Sequence, residues 1–250
     1  MAQIIEAIKF EDLMNEANTQ YSVNRGLHLN SSEWQSYVDL KDLNIFNFIV
    51  TGTIATRTYS AHTKKNYYQG FKNTDFKKIE LIAFYLFICK INNQIISDFL
   101  AKVMHLSNWR IHCNCDSFLY WGWKYKLTKL NSVLGPGESR KPKRNNVNLM
   151  NEDNIVCKHL WVTINKLSDN MSLFISKLIP YYKKMYGFSK NYNENDLLKS
   201  IGSKGFKKAY TDCKIVLASM DIEVRNLFDK VTRRQSTIIL KKLEEMELNN

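Results

Sequence analysis

The sequence predicts an α+β fold: a small β-sheet with a metal knuckle in the middle, followed by a mostly helical C-terminal part. Three observations predict it. Residues 45–60 are dense in β-branched and aromatic side chains, which favour strands. Cys113-Asn114-Cys115 and Cys157-Lys158-His159 place four soft ligands near the centre of the 250-residue chain. From Cys157 onward, apolar residues recur at helical spacing between short breaks.

The knuckle is the most specific signal. Cys113, Cys115, Cys157 and His159 form a C-x-C and a C-x-H pair separated by 41 residues. Three thiols and an imidazole are the ligand set of a structural Zn²⁺ site, closed by four protein ligands with no open position for water. Trp109–Cys113 alternates like a short strand, and in extended chain the two cysteines of C-x-C point to the same side. Leu160, Trp161, Ile164 and Leu167 recur at helical spacing, so Cys157 and His159 fall at a helix start. His112 borders the cysteines and is a candidate supporting partner. Cys89, inside the apolar run Leu81–Cys89, reads as core, and Cys213, in a polar helix, as a bystander. With no secretory signal, five cysteines give no disulfide framework.

The order C-x-C…C-x-H resembles the SWIM-type zinc domain. The run Ile111-His112-Cys113-Asn114-Cys115-Asp116-Ser117-Phe118-Leu119-Tyr120-Trp121-Gly122-Trp123-Lys124-Tyr125, followed by Cys157-Lys158-His159-Leu160, resembles SWIM-like proteins encoded by tailed phages, including crAss-like phages. The resemblance covers about residues 100–180. The insert is longer than most SWIM domains carry, and Asp116 stands where the family usually has proline. The resemblance implies a zinc-binding structural protein of a virion, a ring or connector subunit at the head-to-tail junction. It also implies assembly in the host bacterial cytoplasm and contacts with other virion proteins.

Composition sets the partners. The formal charge of +12 points to an acidic partner, either DNA or an acidic protein surface. No secretory signal is visible, and no apolar run is long enough to span a membrane, so a soluble protein is expected.

In chain order, residues 2–18 read as an amphipathic helix and 32–43 as another, with Ser32 and Gln35 at capping-box spacing. Strands are expected over 45–60, with Gly52 marking a bulge or turn, and near 66–71, pairing with the strand ending at Cys113. Residues 76–90 suit a buried helix or a central strand; helix is favoured. Residues 94–105 follow as a helix with Ile95, Phe99, Leu100 and Val103 on one face. Within the zinc insert, 117–131 reads as helix. Its rings Phe118, Tyr120, Trp121, Trp123 and Tyr125 either pack on the knuckle or stack on bases, with Lys124, Lys126 and Lys129 interleaved. Residues 135–156 read as a loop carrying Arg140, Lys141, Lys143 and Arg144. With Lys124 and Lys126 these form the candidate surface for nucleic acid or another acidic partner. Helices are expected near 157–168, 170–186, 194–201, 205–218 and 219–248, with breaks that include Pro180 and Gly202. The domain reading has three segments: an α/β segment over 1–106, the zinc module with its basic loop over 107–168, and a helical region over 169–250.

The last helix, which Ser219 can cap, carries Val224, Phe228, Val231, Ile238, Leu243 and Met246 on a stripe that drifts after Gln235. Such a helix packs within its own chain or on a neighbouring subunit; the drift favours a neighbour, and a homo-oligomer is expected. There is no Walker loop, dinucleotide fingerprint, H-E-x-x-H or G-x-S-x-G, so an enzyme is not expected. Two function classes remain: a structural component of a tailed-phage virion, and a free nucleic-acid-binding protein that uses the zinc module and basic loop.

Overall fold

A computed structural model describes residues 7–23, 45–60, 63–120, 123–140, 156–186 and 194–248. The fold is α+β, with a small antiparallel sheet, a Cys/His cluster beside it and a largely helical remainder. The segments read from sequence as consecutive are interleaved. One compact unit combines Met1–Thr74 with Ser107–Asn170, and the other combines Asp75–Leu106 with Met171–Asn250. The expected helix over 32–43 lies outside the described residues.

The first unit is built on strands β1 (Thr53–Ser60), β2 (Lys65–Asn73) and β3 (Trp109–Cys113), in the order β1-β2-β3 with both pairings antiparallel. The register sets Ile54 opposite Phe71, Phe71 opposite Ile111, and Gln69 opposite Cys113. Strand side chains alternate between faces, so Ile54, Thr56 and Thr58, then Gln69, Phe71 and Asn73, then Trp109, Ile111 and Cys113 are buried together. A helix over Lys158–Asp169 lies against all three strands.

Two expectations at the N-terminal side change. Residues 45–60 are not continuous strand: helix α2 (Ile45–Thr51) precedes β1. The run Ile45–Val50 has no clean alternation, so periodicity alone does not separate helix from strand there. Burial decides, because Phe48 and Ile49 are buried together while Phe46 and Val50 are exposed. Gly52 ends the helix in the left-handed region at φ 72°, with its N–H bonded to the Phe48 carbonyl (2.7 Å). Helix α1 starts at Phe10 and runs to Val23. Residues 2–6 of the expected 2–18 helix lie outside the described residues, and Ile8 and Lys9 are taken by the sheet edge: Lys9 bridges Asn108, and the Trp109 N–H donates to the Ile8 carbonyl (2.9 Å). Past Cys113 and Cys115, the expected 117–131 helix is seen as α5 (Asp116–Tyr120) and α6 (Trp123–Lys129), with residues 121 and 122 outside the described residues. The chain then returns alongside β3, where Ile111 N–H donates to the Ser132 carbonyl and Leu134 N–H to the Ile111 carbonyl (both 2.8 Å).

The second unit is helical. Helix α3 (Phe76–Ile88) buries seven of the apolar residues between Ile79 and Ile88, as the favoured reading of that run required. Helix α4 (Asn93–His105) is capped by Asn92, whose Oδ1 accepts from Gln94 N–H (2.8 Å). Its inner face is Ile96, Phe99, Leu100, Val103 and Met104, and Ile95 points outward. The helix at Lys158–Asp169 is α7, and α8 (Met171–Met185) carries Pro180 without ending there, because Leu178, Ile179 and Tyr182 stay buried on either side. Helix α9 (Glu194–Ala218) does break at Gly202, which takes φ 63°. The new start after the break is capped by Glu247, whose carboxylate accepts from the Ser203 N–H and hydroxyl (both 2.7 Å).

Helix α10 (Ile222–Leu248) begins one turn later than expected, with Asp221 capping the Glu223 N–H (2.9 Å). Its buried line is Val224, Phe228, Thr232, Ile239 and Leu243, packed against α9 and α4. The apparent drift at Gln235 came from reading Val231 and Ile238 as core. Thr232 takes the inner position instead, because its hydroxyl donates back to the Phe228 carbonyl (2.8 Å) and needs no other partner. Ile238 is 48% exposed. The stripe is therefore straight, and it belongs to the core of this unit. Cys213 is also corrected: it is 1% exposed with its sulfur near the Leu81 carbonyl (3.7 Å), and burial pushes its thiol up to about 12. No helix among the described residues is long and apolar enough to cross a membrane.

Phe228→Ala should therefore cost about 3–5 kcal/mol in denaturant unfolding, whereas Ile238→Ala should stay within about 0.5 kcal/mol. Cys213→Ser, which buries a hydroxyl in an apolar setting, should cost about 1–3 kcal/mol. Equal effects of Phe228→Ala and Ile238→Ala would contradict the observed stripe.

Candidate metal centre

Each ligand is held by backbone structure on which it sits. Cys113 ends β3, paired with Gln69. Asn114 carries the pairing one step further: its N–H donates to the Tyr68 carbonyl (3.1 Å), and its Oδ1 accepts from Tyr68 N–H (2.8 Å). Cys115 then opens α5, with its carbonyl accepting from Leu119 N–H (3.1 Å) and its sulfur from Phe118 N–H (3.3 Å). Cys157 is the extended cap residue before α7 (φ −80°, ψ 162°), and Trp161 N–H bonds to its carbonyl (2.9 Å). His159 lies in the first turn of α7, with its ring stacked on Tyr67 at 4.1 Å.

These four side chains converge. All three sulfurs and an imidazole nitrogen lie within 4.8 Å of one another, and none of the four residues is more than 4% exposed. A tetrahedron with arms of about 2.3 Å has edges near ~3.8 Å, so the donor atoms stand at a spacing a single ion closes by small inward shifts. The cluster could hold a metal ion, and its soft donor set fits the group that the sequence motif implies. The three thiols differ: Cys113 is pushed up to about 12, first by its hydrogen bond with Cys115. The Cys115 thiol is held well below the usual thiol range, first by the hydrogen bond from Cys113 and then by that from Cys157. Burial pushes Cys157 the other way. The start of α7 adds the positive end of a helix dipole beside Cys157.

Behind the ligands stands Gln69, which the sequence reading did not single out. Its Nε2 donates to the Tyr67 carbonyl (2.8 Å), an acceptor only, so the amide orientation is set. The second Nε2 hydrogen is then directed at Cys113 Sγ (3.9 Å). On the other side, Oε1 accepts from Thr58 (3.1 Å) and Thr56 (3.2 Å). Thr163 Oγ1 lies 3.5 Å away and donates to the His159 carbonyl (2.8 Å). One buried amide thus links β1, β2, β3 and α7 around the sulfur. The available signal was Gln69 at an inward position between Tyr67 and Phe71 in an alternating strand.

The other candidates fall as follows. His112 is on the opposite face of β3 from Cys113, with its ring edge-on to Phe118 (5.5 Å), and is not among the four converging residues. Phe118 and Trp123 are buried, which matches packing on the knuckle, while Tyr120 is 70% exposed. Lys124 and Lys126 are half-buried, and Lys129 sits over the Tyr125 ring (5.4 Å). Arg140 is exposed, with its N–H donated to Glu138, whose own N–H is held by Thr128 (2.9 Å each). Lys141, Lys143 and Arg144 lie outside the described residues. Compared with protein-family models, curated proteins and solved structures, the chain matches none.

Gln69→Ala should weaken metal affinity about 10–100-fold, as removal of outer-shell partners typically does. Competition with a chromophoric chelator measures this. Tyr68→Ala, which removes an exposed ring and no side-chain bond, should leave affinity unchanged. An unchanged affinity in Gln69→Ala would contradict the role given to the amide.

Proposed function

We propose that Cys113, Cys115, Cys157 and His159 hold a structural zinc ion, and that the chain is a structural component of a tailed-phage virion, a ring or connector subunit. The observation that carries the zinc reading is the buried convergence of the four ligands in the order C-x-C…C-x-H. Zinc would supply a cross-link between the end of β3 and the start of α7, with no open position for catalysis. The virion role rests on the resemblance of residues 100–180 to SWIM-like phage proteins. The absence of the catalytic sequence patterns sought supports a structural rather than an enzymatic role. In that role the chain assembles as a homo-oligomer beside other virion proteins, and its +12 charge meets acidic neighbours or DNA.

A second reading, a free nucleic-acid-binding protein, is favoured by the seven basic residues against one acidic between Lys124 and Arg144, and by the exposure of Arg140. Salt dependence separates the two, because phosphate contacts strengthen at low salt.

Elemental analysis of the purified chain should give one zinc per chain, and a folded protein without metal would contradict the zinc reading. Affinity should fall as pH falls, because protons compete for the thiolates. Mass spectrometry of purified particles should find the chain in intact virions; its absence there would contradict the virion role. Replacing Arg140, Lys141, Lys143 and Arg144 with Ala should leave the unfolding midpoint nearly unchanged and weaken association with an acidic partner, most at low salt. Loss of folding in that variant would contradict a contact role for the loop.

A further inference from the structure

The second unit carries a cleft that the metal centre does not use. It lies between α9 and α10 and measures ≈ 630 Å³, within the range of small-ligand sites. Its floor is aromatic. Tyr85 is fully buried, and its ring centroid lies 5.5 Å from Phe206 and 5.6 Å from Tyr210, which is 38% exposed. Tyr85 lines the cleft, and its buried hydroxyl makes no hydrogen bond, with Cys89 and Ser236 as polar neighbours. Burial raises its pKa far above the usual tyrosine range, so it stays a protonated donor. A buried hydroxyl left unsatisfied costs free energy that a ligand acceptor would recover.

The rim is cationic. From Lys230 to Lys242, α10 carries Lys230, Arg233, Arg234, Lys241 and Lys242 and no acidic residue. Two cations of the neighbouring helix already have carboxylates: Lys207 pairs with Glu244 (2.8 Å) and Lys214 with Asp229. The Lys214 pairing offsets the charge of Asp229, the one acidic residue in the lining. Arg233 has no such pair among the described residues. It lines this cleft and also an adjoining one of ≈ 550 Å³, together with Thr237. A free guanidinium at the junction of two clefts presents a planar fork suited to a phosphate. Beside it, the Tyr210 ring, already under the Lys214 ammonium at 5.7 Å from its centroid, is exposed enough to offer a stacking surface.

We infer that the α9–α10 cleft is a binding site for a nucleotide unit, with its phosphate on Arg233 and its base against Tyr210. The unit is either a free mononucleotide or one residue of a single-stranded nucleic acid, whose next phosphate would enter the adjoining cleft by Lys230 and Arg234. The site is independent of the zinc reading, because its residues lie in the other compact unit.

The test uses the full-length, metal-loaded chain at low ionic strength. Its probes are AMP and inorganic phosphate by calorimetry, and a fluorescein-labelled oligo(dT) by anisotropy. AMP should bind more tightly than inorganic phosphate. Arg233→Ala should weaken AMP and oligo(dT) binding about tenfold or more, and Tyr210→Ala about fivefold or more. Arg233→Lys should recover only part of the loss. Lys177→Ala, an exposed cation on α8, should change nothing, and circular dichroism checks that each variant is folded. Preference for AMP alone assigns a mononucleotide, and preference for oligo(dT) assigns a strand; either supports the site. No binding of any probe overturns it, as does an equal loss in Lys177→Ala, or equal binding of AMP and inorganic phosphate with no effect of Tyr210→Ala.

Discussion

The first unit depends on one convergence: the end of β3 meeting the start of α7 at four buried ligand atoms. The two halves of the motif are 41 residues apart in sequence, so bringing them together has an entropic cost that local structure does not repay. A three-stranded sheet with one covering helix buries a modest core, and small modules of this kind commonly need a staple. The ligands sit where a cross-link acts on all the elements at once. Cys113 is fixed by strand pairing, Cys115 by α5, and Cys157 and His159 by the first turn of α7. Three buried thiols beside one another are poorly solvated as thiolates and weakly bonded as thiols. An ion that accepts all three removes that conflict.

Gln69 shows how the sheet anticipates this charge. Its amide turns one N–H toward Cys113 Sγ, and three threonine hydroxyls surround its carbonyl. A polar residue at the centre of a sheet face is costly unless bonded, and here the contacts reach Cys113 Sγ directly and the His159 carbonyl through Thr163. Thr163 extends the same network to the His159 carbonyl. The strand face is thus apolar at Phe71 and Ile111 and polar at Gln69 and Thr58, with the polar half next to the sulfurs.

Much of this was legible in the sequence. The ligand quartet, the strand before Cys113 and the helix after Cys157 follow from spacing and periodicity, and the helix over Phe76–Ile88 from an apolar run without Gly, Pro or Val. What sequence did not reveal was decided by tertiary context. The segment at Ile45 carries β-forming residues, yet burial of Phe48 and Ile49 with an αL Gly52 makes it helix. On α10, Thr232 holds a core position because it bonds its own backbone, so counting only apolar residues bent a straight stripe. Cys213 reads in sequence as a bystander in a polar helix, but it is one of the few described residues of that helix that face inward. Gln69 was missed because a single inward glutamine acquires meaning only when the strand opposite ends in a cysteine ligand.

The central claim is that one metal ion joins β3 to α7 through three sulfurs and one nitrogen. X-ray absorption spectroscopy at the zinc edge, on the purified full-length chain, tests it most directly. The account predicts a first shell of three sulfurs near ~2.3 Å and one nitrogen near ~2.0–2.1 Å, with sulfur scattering reduced in Cys157→Ser. A first shell of oxygen and nitrogen only, or a spectrum unchanged by Cys157→Ser, would contradict it.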